Sequence, residues 1–183
     1  MSTAPTKQFQ VELTKLLPNL RAFARSLTRS ADHADDLVQE ALMKAWRNWE
    51  QFAPDSNLKA WMFTILRNAY LSERRKLKNE VQDVDGEYAG QVSVKAEQPG
   101  HMDMIDFQVA FAQLLPEHKE ALILIGAEGF SYEEAALMCG CAVGTMKSRV
   151  NRARNKLAQI MGLESAAEIG TGEKSDAFVR TAV

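Results

Sequence analysis

Between Thr145 and Met161 the chain carries five cations, Lys147, Arg149, Arg152, Arg154 and Lys156, and no carboxylate. A solvated helix ordinarily mixes both signs, because opposite charges one turn apart stabilise it. One-sided charge repels itself unless a polyanion is the expected neighbour. At helical spacing Met146, Val150, Ala153, Leu157 and Ile160 share one apolar stripe, and Thr145, Ser148, Arg149, Arg152 and Lys156 share the opposite face. Side chains of this kind can hold phosphates and read base edges. The bland alternative is a basic helix with no ligand.

The residues just upstream favour the DNA reading. Ser131 and Glu134 have capping-box spacing, and Phe130 stands where a hydrophobic staple begins. A first helix is expected over Tyr132 to Cys139, ended by Gly140, which tolerates a left-handed backbone. A second is expected from near Gly144. Two short helices with a tight turn and a basic second helix make a helix-turn-helix.

Two other sets could do chemistry. On the stretch Leu58 to Lys78, Phe63, Arg67, Tyr70, Arg74 and Lys78 fall in one arc. On an exposed face, aromatics among cations suit unstacked bases and phosphates. Equally, Phe63 and Tyr70 could cover a neighbouring helix. Asp36, Gln39 and Glu40 share an exposed edge that could meet a basic partner or simply be solvated.

The elements that must position these sets are all helical by periodicity. Phe9, Leu13, Leu16, Leu20, Phe23 and Leu27 mark a helix to Leu27, which Pro18 is expected to interrupt. Leu37, Val38, Ala41, Leu42, Ala45, Trp46 and Trp49 predict a second helix with a wide apolar face, and Asp32 and Asp35 suit the positive end of its dipole. Pro54, Asp55, Ser56 and Asn57 are turn residues. The buried stripe of the third helix is expected to be Leu58, Trp61, Met62, Ile65, Leu66 and Ala69. A later helix around Asp103 to Leu115 turns its Phe107, Phe111 and Leu114 side inward. Pro116 suits the first turn of the next, to about Ala127.

Between residues 80 and 102 periodicity disappears. From Glu80 to Asp106 there are seven acids and one Lys, whereas Lys59 to Asn79 holds six cations and one acid. An acidic, glycine-containing stretch reads as a flexible linker. The expected architecture is all-α, with small helical domains over 8–79 and 103–161 and a disordered tail over 162–183. The linker leaves the relative placement of the domains open.

With 183 residues the chain has room for one or two small domains, and its net charge is only −2, so any polyanion contact must be local. No apolar run approaches the length of a membrane span, and no signal pattern opens the chain. Cys139 and Cys141 are too close for an ordinary disulfide, and His33, His101 and His118 are scattered, so no metal site is expected. A reducing cytoplasm is the expected setting. Gly170 to Ser175 superficially resembles a phosphate-binding loop, but its glycine spacing is wrong and no strand precedes it. No catalytic constellation or cofactor cradle is present, so the chain is not expected to be an enzyme.

In combination, DDLVQEALMKAW, AWMFTILRNAYLSERRK and SYEEAALMCGCAVGTMKSRVNRAR resemble an extracytoplasmic-function (group four) sigma factor over about residues 8 to 161. The wording FQVAFAQLLPEHKEALILIGAEGFSYEEAA resembles the EcfG-type general-stress subgroup of Alphaproteobacteria. The resemblance implies sigma region 2 in the first domain and region 4 in the second. It implies that Asp36, Gln39 and Glu40 bind the beta-prime clamp of RNA polymerase, and that the beta flap is a second contact. It matches Phe52, Asp55, Ser56 and Asn57 to the loop that captures a flipped −10 base. Trp61, Phe63 and Asn68 would line the strand path, and Arg67, Arg74, Arg75 and Lys76 would hold phosphates. Thr145, Lys147, Ser148, Arg149, Asn151 and Arg152 match the −35 reading helix, and Arg154 would take a phosphate. The implied partners are core polymerase, promoter DNA (duplex −35, melted −10) and a NepR-type anti-sigma factor released by a PhyR-type response regulator, with the chain a monomer. The acidic linker would thread polymerase toward the RNA exit channel. Ala142 departs from the pattern, standing where a capping Ser is common. The alternative is a stand-alone helix-turn-helix repressor or activator.

Overall fold

The computed structural model describes residues 6–28, 30–53, 56–81 and 104–163. Among the described residues every regular element is helical. Asp55, the linker over 82–103, the tail beyond Leu163 and the side chain of Lys78 lie outside the described residues.

Three helices build the N-terminal domain: α1 (Lys7–Leu27), α2 (Ala31–Arg47) and α3 (Leu58–Val81). Each starts on a small polar side chain. Thr6 Oγ1 accepts from the Phe9 amide at 3.3 Å, Ser30 Oγ from His33 at 3.4 Å and Asn57 Oδ1 from Ala60 at 3.1 Å. These caps satisfy amides with no partner inside the helix. Leu20, Phe23, Met62, Phe63 and Leu66 are fully buried and Leu37 nearly so. At about 1.5–3 kcal/mol for each large apolar side chain, these six outweigh the caps. A short 3₁₀ turn, Trp49–Gln51, carries the chain from α2 toward α3.

Two expectations for this domain are corrected, and the alternative left open for Phe63 is decided. Pro18 does not break α1, which is one helix of 21 residues. Proline inside a helix costs about 3 kcal/mol. The N-terminal half recovers that cost by burying Phe9 and Leu13, and Phe9 also meets the rings of Phe52 and Trp61 at 5.8 and 6.3 Å. Trp46 does not join the apolar face of α2 but stands 48% exposed. Phe63 is not on an exposed arc: it is completely buried, stacked on Phe23 at 5.0 Å and edge-on to Phe130 of the second domain at 5.4 Å.

The C-terminal domain comprises α4 (Met104–Ala112), α5 (Pro116–Leu122), α6 (Tyr132–Cys139) and α7 (Val143–Met161). Pro116 opens α5 where its missing N–H costs nothing. The helix runs on through Ile123–Ala127 in π-helical form, with the Glu128 amide donating to the Ile123 carbonyl at 2.9 Å. The wider turn was not legible in the sequence, and it sets the direction in which Glu128 and Phe130 leave the helix. Phe107, Phe111, Leu114, Leu122, Leu124, Met146, Val150 and Leu157 form the core.

The domains pack on each other, α1 against α5 and α3 against α6. This placement decides what the two basic faces can reach.

Candidate nucleic-acid interface

The helix-turn-helix forms at the expected residues. Ser131 Oγ accepts from the Glu134 amide at 3.1 Å, and Glu134 Oε2 accepts from the Ser131 amide at 2.9 Å. That reciprocal pair holds the start of α6 and, led by the Ser131 amide, lowers the carboxyl pKa of Glu134 below its usual range. Gly140 ends α6 at φ 62°, a conformation that glycine adopts without steric cost. Ala142 starts α7 with no side-chain bond, so the amides opening α7 lack the cap that Ser131 gives to α6.

Met146, Val150, Ala153 and Leu157 are buried, which turns the other face of α7 outward. Thr145, Lys147, Ser148, Asn151 and Arg152 are exposed and Arg149 is half-buried. Thr145, Ser148, Arg149 and Arg152, with Glu117 and His118 of α5, line a concavity of about 430 Å³. Arg149 leans toward Cys141, with Nη1 3.9 Å from Sγ. Lys147 lies 5.7 Å from the Tyr132 ring centre, which helps hold it near the first helix. Arg154 is set apart: it is half-buried and its Nε has no protein partner. Tyr132, Glu117 and His118 were not singled out in the sequence as parts of this face. The packing of α5 beside α7 brings Glu117 and His118 to it, and that of α6 beside α7 brings Tyr132.

The residues matched to −10 binding divide into two groups. Phe52 and Trp61 pack at 5.3 Å and are half-buried, beside the exposed Ser56 and Asn57. Asn68, Arg74, Arg75 and Lys76 are exposed, with Arg74 5.8 Å from the Tyr70 ring centre. Asn57, Phe63 and Arg67, by contrast, meet the second domain. Asn57 Nδ2 donates to Glu134 Oε1 at 3.1 Å. Arg67 donates from Nε to Glu120 Oε1 at 2.5 Å, with Nη2 to Oε2 at 3.4 Å. Burial alone would pull the Arg67 pKa down, but the hydrogen bond and charge of Glu120 raise it. Lys59, between them on α3, pairs with Glu128 Oε2 at 2.7 Å and with the Glu128 carbonyl at 2.8 Å. It was not singled out by its position in the sequence.

Asp36, Gln39 and Glu40 are exposed along α2, and Glu40 takes Lys44 at 2.6 Å. Met43 and Trp46 lie on the same helix, 55% and 48% exposed. The edge therefore sets carboxylates beside exposed apolar surface. Among the described residues no cluster of three or more metal-ligating side chains occurs, and no helix is long and apolar enough to cross a membrane.

Comparisons with known proteins match both helical domains in this order. Residues 13–80 match Sigma-70 region 2 and residues 105–157 match Sigma-70, region 4. The chain is 48% identical over 174 residues to the ECF RNA polymerase sigma factor EcfG of Rhodopseudomonas palustris (strain TIE-1), spanning 95% of this chain and 96% of that one. In three dimensions it is similar to the sigma factor RpoE of Bartonella quintana, solved in complex with the anti-sigma factor NepR. That match has a TM-score of 0.75 and 52% identity, covering 87% of this chain and 100% of that one. The PhyRSL–NepR complex of Sphingomonas sp. Fr1 shares the fold, with a TM-score of 0.61 and 21% identity over 84% of this chain and 89% of that one. With both regions matched and near-complete similarity to EcfG, the chain belongs to the extracytoplasmic-function sigma factors of the sigma-70 family.

Proposed function

We propose that this chain directs RNA polymerase to general-stress promoters and acts as a binding factor rather than as an enzyme. The observation that carries the reading is the pairing of a carboxylate-free recognition face on α7 with a separate aromatic and basic face on α3. The first suits duplex DNA, and the second suits a melted strand.

In this reading Thr145, Lys147, Ser148, Arg149, Asn151 and Arg152 face the −35 element, and Arg154 takes a phosphate at its edge. Phe52, Asp55, Ser56 and Asn57 hold the flipped −10 base, and Trp61 lines the strand path beside them. Phe63 and Asn68 lie along the strand, and Arg67, Arg74, Arg75 and Lys76 hold its phosphates. Asp36, Gln39 and Glu40 dock on the beta-prime clamp. The domains run over residues 8–79 and 103–161, with the acidic segment 80–102 threading polymerase. Similar structures suggest the control: a NepR-type inhibitor holds the chain off polymerase, and a PhyR-type regulator removes that inhibitor. All of this takes place in the cytoplasm.

Run-off transcription with purified core polymerase on a stress promoter tests the reading. Defined transcripts only in the presence of the chain are expected. No transcripts, together with polymerase-independent binding to a symmetric duplex, would support the stand-alone regulator instead.

A further inference from the structure

The seam between the domains is built from the side chains assigned to the melted strand. Arg67, assigned above to a phosphate, is instead paired with Glu120, and Lys59, two turns earlier on the same helix, is paired with Glu128. Both carboxylates are almost wholly enclosed, the Glu120 side chain being 10% exposed and that of Glu128 4%. Asn57, in the base-capturing turn, donates to a third, Glu134. Among these acids sits one ring: Phe130 lies edge-on to Phe63 at 5.4 Å, with Lys59 Nζ 5.0 Å from the Phe130 ring centre and 5.7 Å from that of Phe63. A carboxylate on the phosphate-binding Arg67, a second on the neighbouring Lys59, and an aromatic ring against Phe63 reproduce the chemistry of a single strand.

We propose that the C-terminal domain closes the single-strand face of the N-terminal domain by occupying it, with Glu120 and Glu128 in the place of phosphates and Phe130 in the place of a base. The free chain then holds its two DNA surfaces unequally. The α7 face stays open, while Phe63 and Arg67 on the α3 face are covered until the domains separate, with Asn68, Arg74, Arg75 and Lys76 left exposed. A strand competes directly with the seam, because both need Arg67. Separation on polymerase would therefore be part of the step that exposes the strand-binding face. This proposal rests on the assignment of the −10 face given above.

The seam can be weakened without touching any strand-binding residue. In the full chain, Glu120→Gln with Glu128→Gln keeps the shape and removes both charges. The probe is a fluorescein-labelled, mixed-sequence single-stranded DNA 20-mer, followed by anisotropy, with the radius of gyration measured in parallel by small-angle scattering. The expected result is a larger radius and binding at least about tenfold tighter than wild type, the gain disappearing when Arg67→Ala is added. Unchanged affinity in a folded variant overturns the proposal, as does expansion without a gain in affinity. Should the double variant fail to fold, Asn19→Ala serves. Asn19 Nδ2 donates to Glu128 Oε2 at 3.0 Å from α1, away from the strand face. A smaller gain in the same direction is then expected, and no gain overturns the proposal. Run-off transcription by the wild type judges the sigma reading separately, since a chain that directs transcription can still lack the closure.

Discussion

Arg67 on α3 and Glu120 on α5, fifty-three residues apart in sequence, form a two-point ion pair across the seam, and both side chains are close to dry. Removing one partner of such a buried pair leaves the other charge uncompensated, a cost of about 3–5 kcal/mol within a rigid core. Here the cost has an outlet. If the domains part, Arg67 returns to water while each helical core stays packed. Glu120→Ala is therefore expected to lower hydrogen-exchange protection along α3 at Phe63 and Arg67, while the cores of α1 and α7 keep theirs. Uniform loss of protection would show instead that the two domains unfold as one unit.

Arg149 stands on the open face of α7 with Ser148 and Arg152 around one concavity. A bidentate arginine–guanine contact discriminates by roughly 1–3 kcal/mol. Arg149→Ala is expected to weaken transcription from a matched promoter by that amount and to relax preference at one −35 position only. Arg152→Ala, tested alongside on the same set of base-pair variants, is expected to relax a different position. A uniform loss across all promoter variants would place Arg149 on the phosphate backbone.

Ala142 gives α7 no capping side chain, whereas Ser131 caps α6. Ala142→Ser is expected to stabilise the C-terminal domain by about 0.5–2 kcal/mol, visible as a higher midpoint in urea with an unchanged slope. Ser131→Ala is expected to cost a similar amount, and Glu134→Ala, which removes the carboxylate held by the Ser131 amide, is expected to have an effect that shrinks in acid. The Glu134 carboxyl is held below its ordinary range, so its contribution is present above the unfolded value and is lost as pH falls through the folded one. A capping contribution that is flat down to the acid transition would contradict this.

Cys139 is buried, and burial first, then the nearby Glu120 charge, push its thiol up to about 12. The folded chain keeps the proton, while the unfolded chain releases it near 9. Stability linked to this group is therefore full below pH 9 and falls as pH rises toward 12. Comparing wild type with Cys139→Ala at pH 8 and pH 10.5 isolates it, and the wild type should lose more between the two. In the native chain at pH 8 a disulfide reagent should modify Cys141, which is half-buried, well before Cys139. Equal rates would overturn the assignment.

Much of this protein can be read along the chain. The helix-turn-helix is legible because its signals are local: Ser131 and Glu134 cap within one turn, Gly140 supplies a left-handed residue, and the Met146–Leu157 stripe repeats at helical spacing. Charge segregation on α7 is equally local. What fails is any inference that depends on what lies opposite. Phe63 and Arg67 share an arc that periodicity leaves open to either solvent or a neighbour, and only docking of α5 and α6 buries one and pairs the other. Pro18 is tolerated because Phe9 and Leu13 find a core, and Trp46 is left out because the N-terminal core closes without it. Helix periods and caps are set by neighbours within four residues, so the sequence alone determined the helices and the recognition face. The pairing of carboxylates from one domain with cations of the other depends on contacts more than fifty residues apart, and only the tertiary structure could decide it.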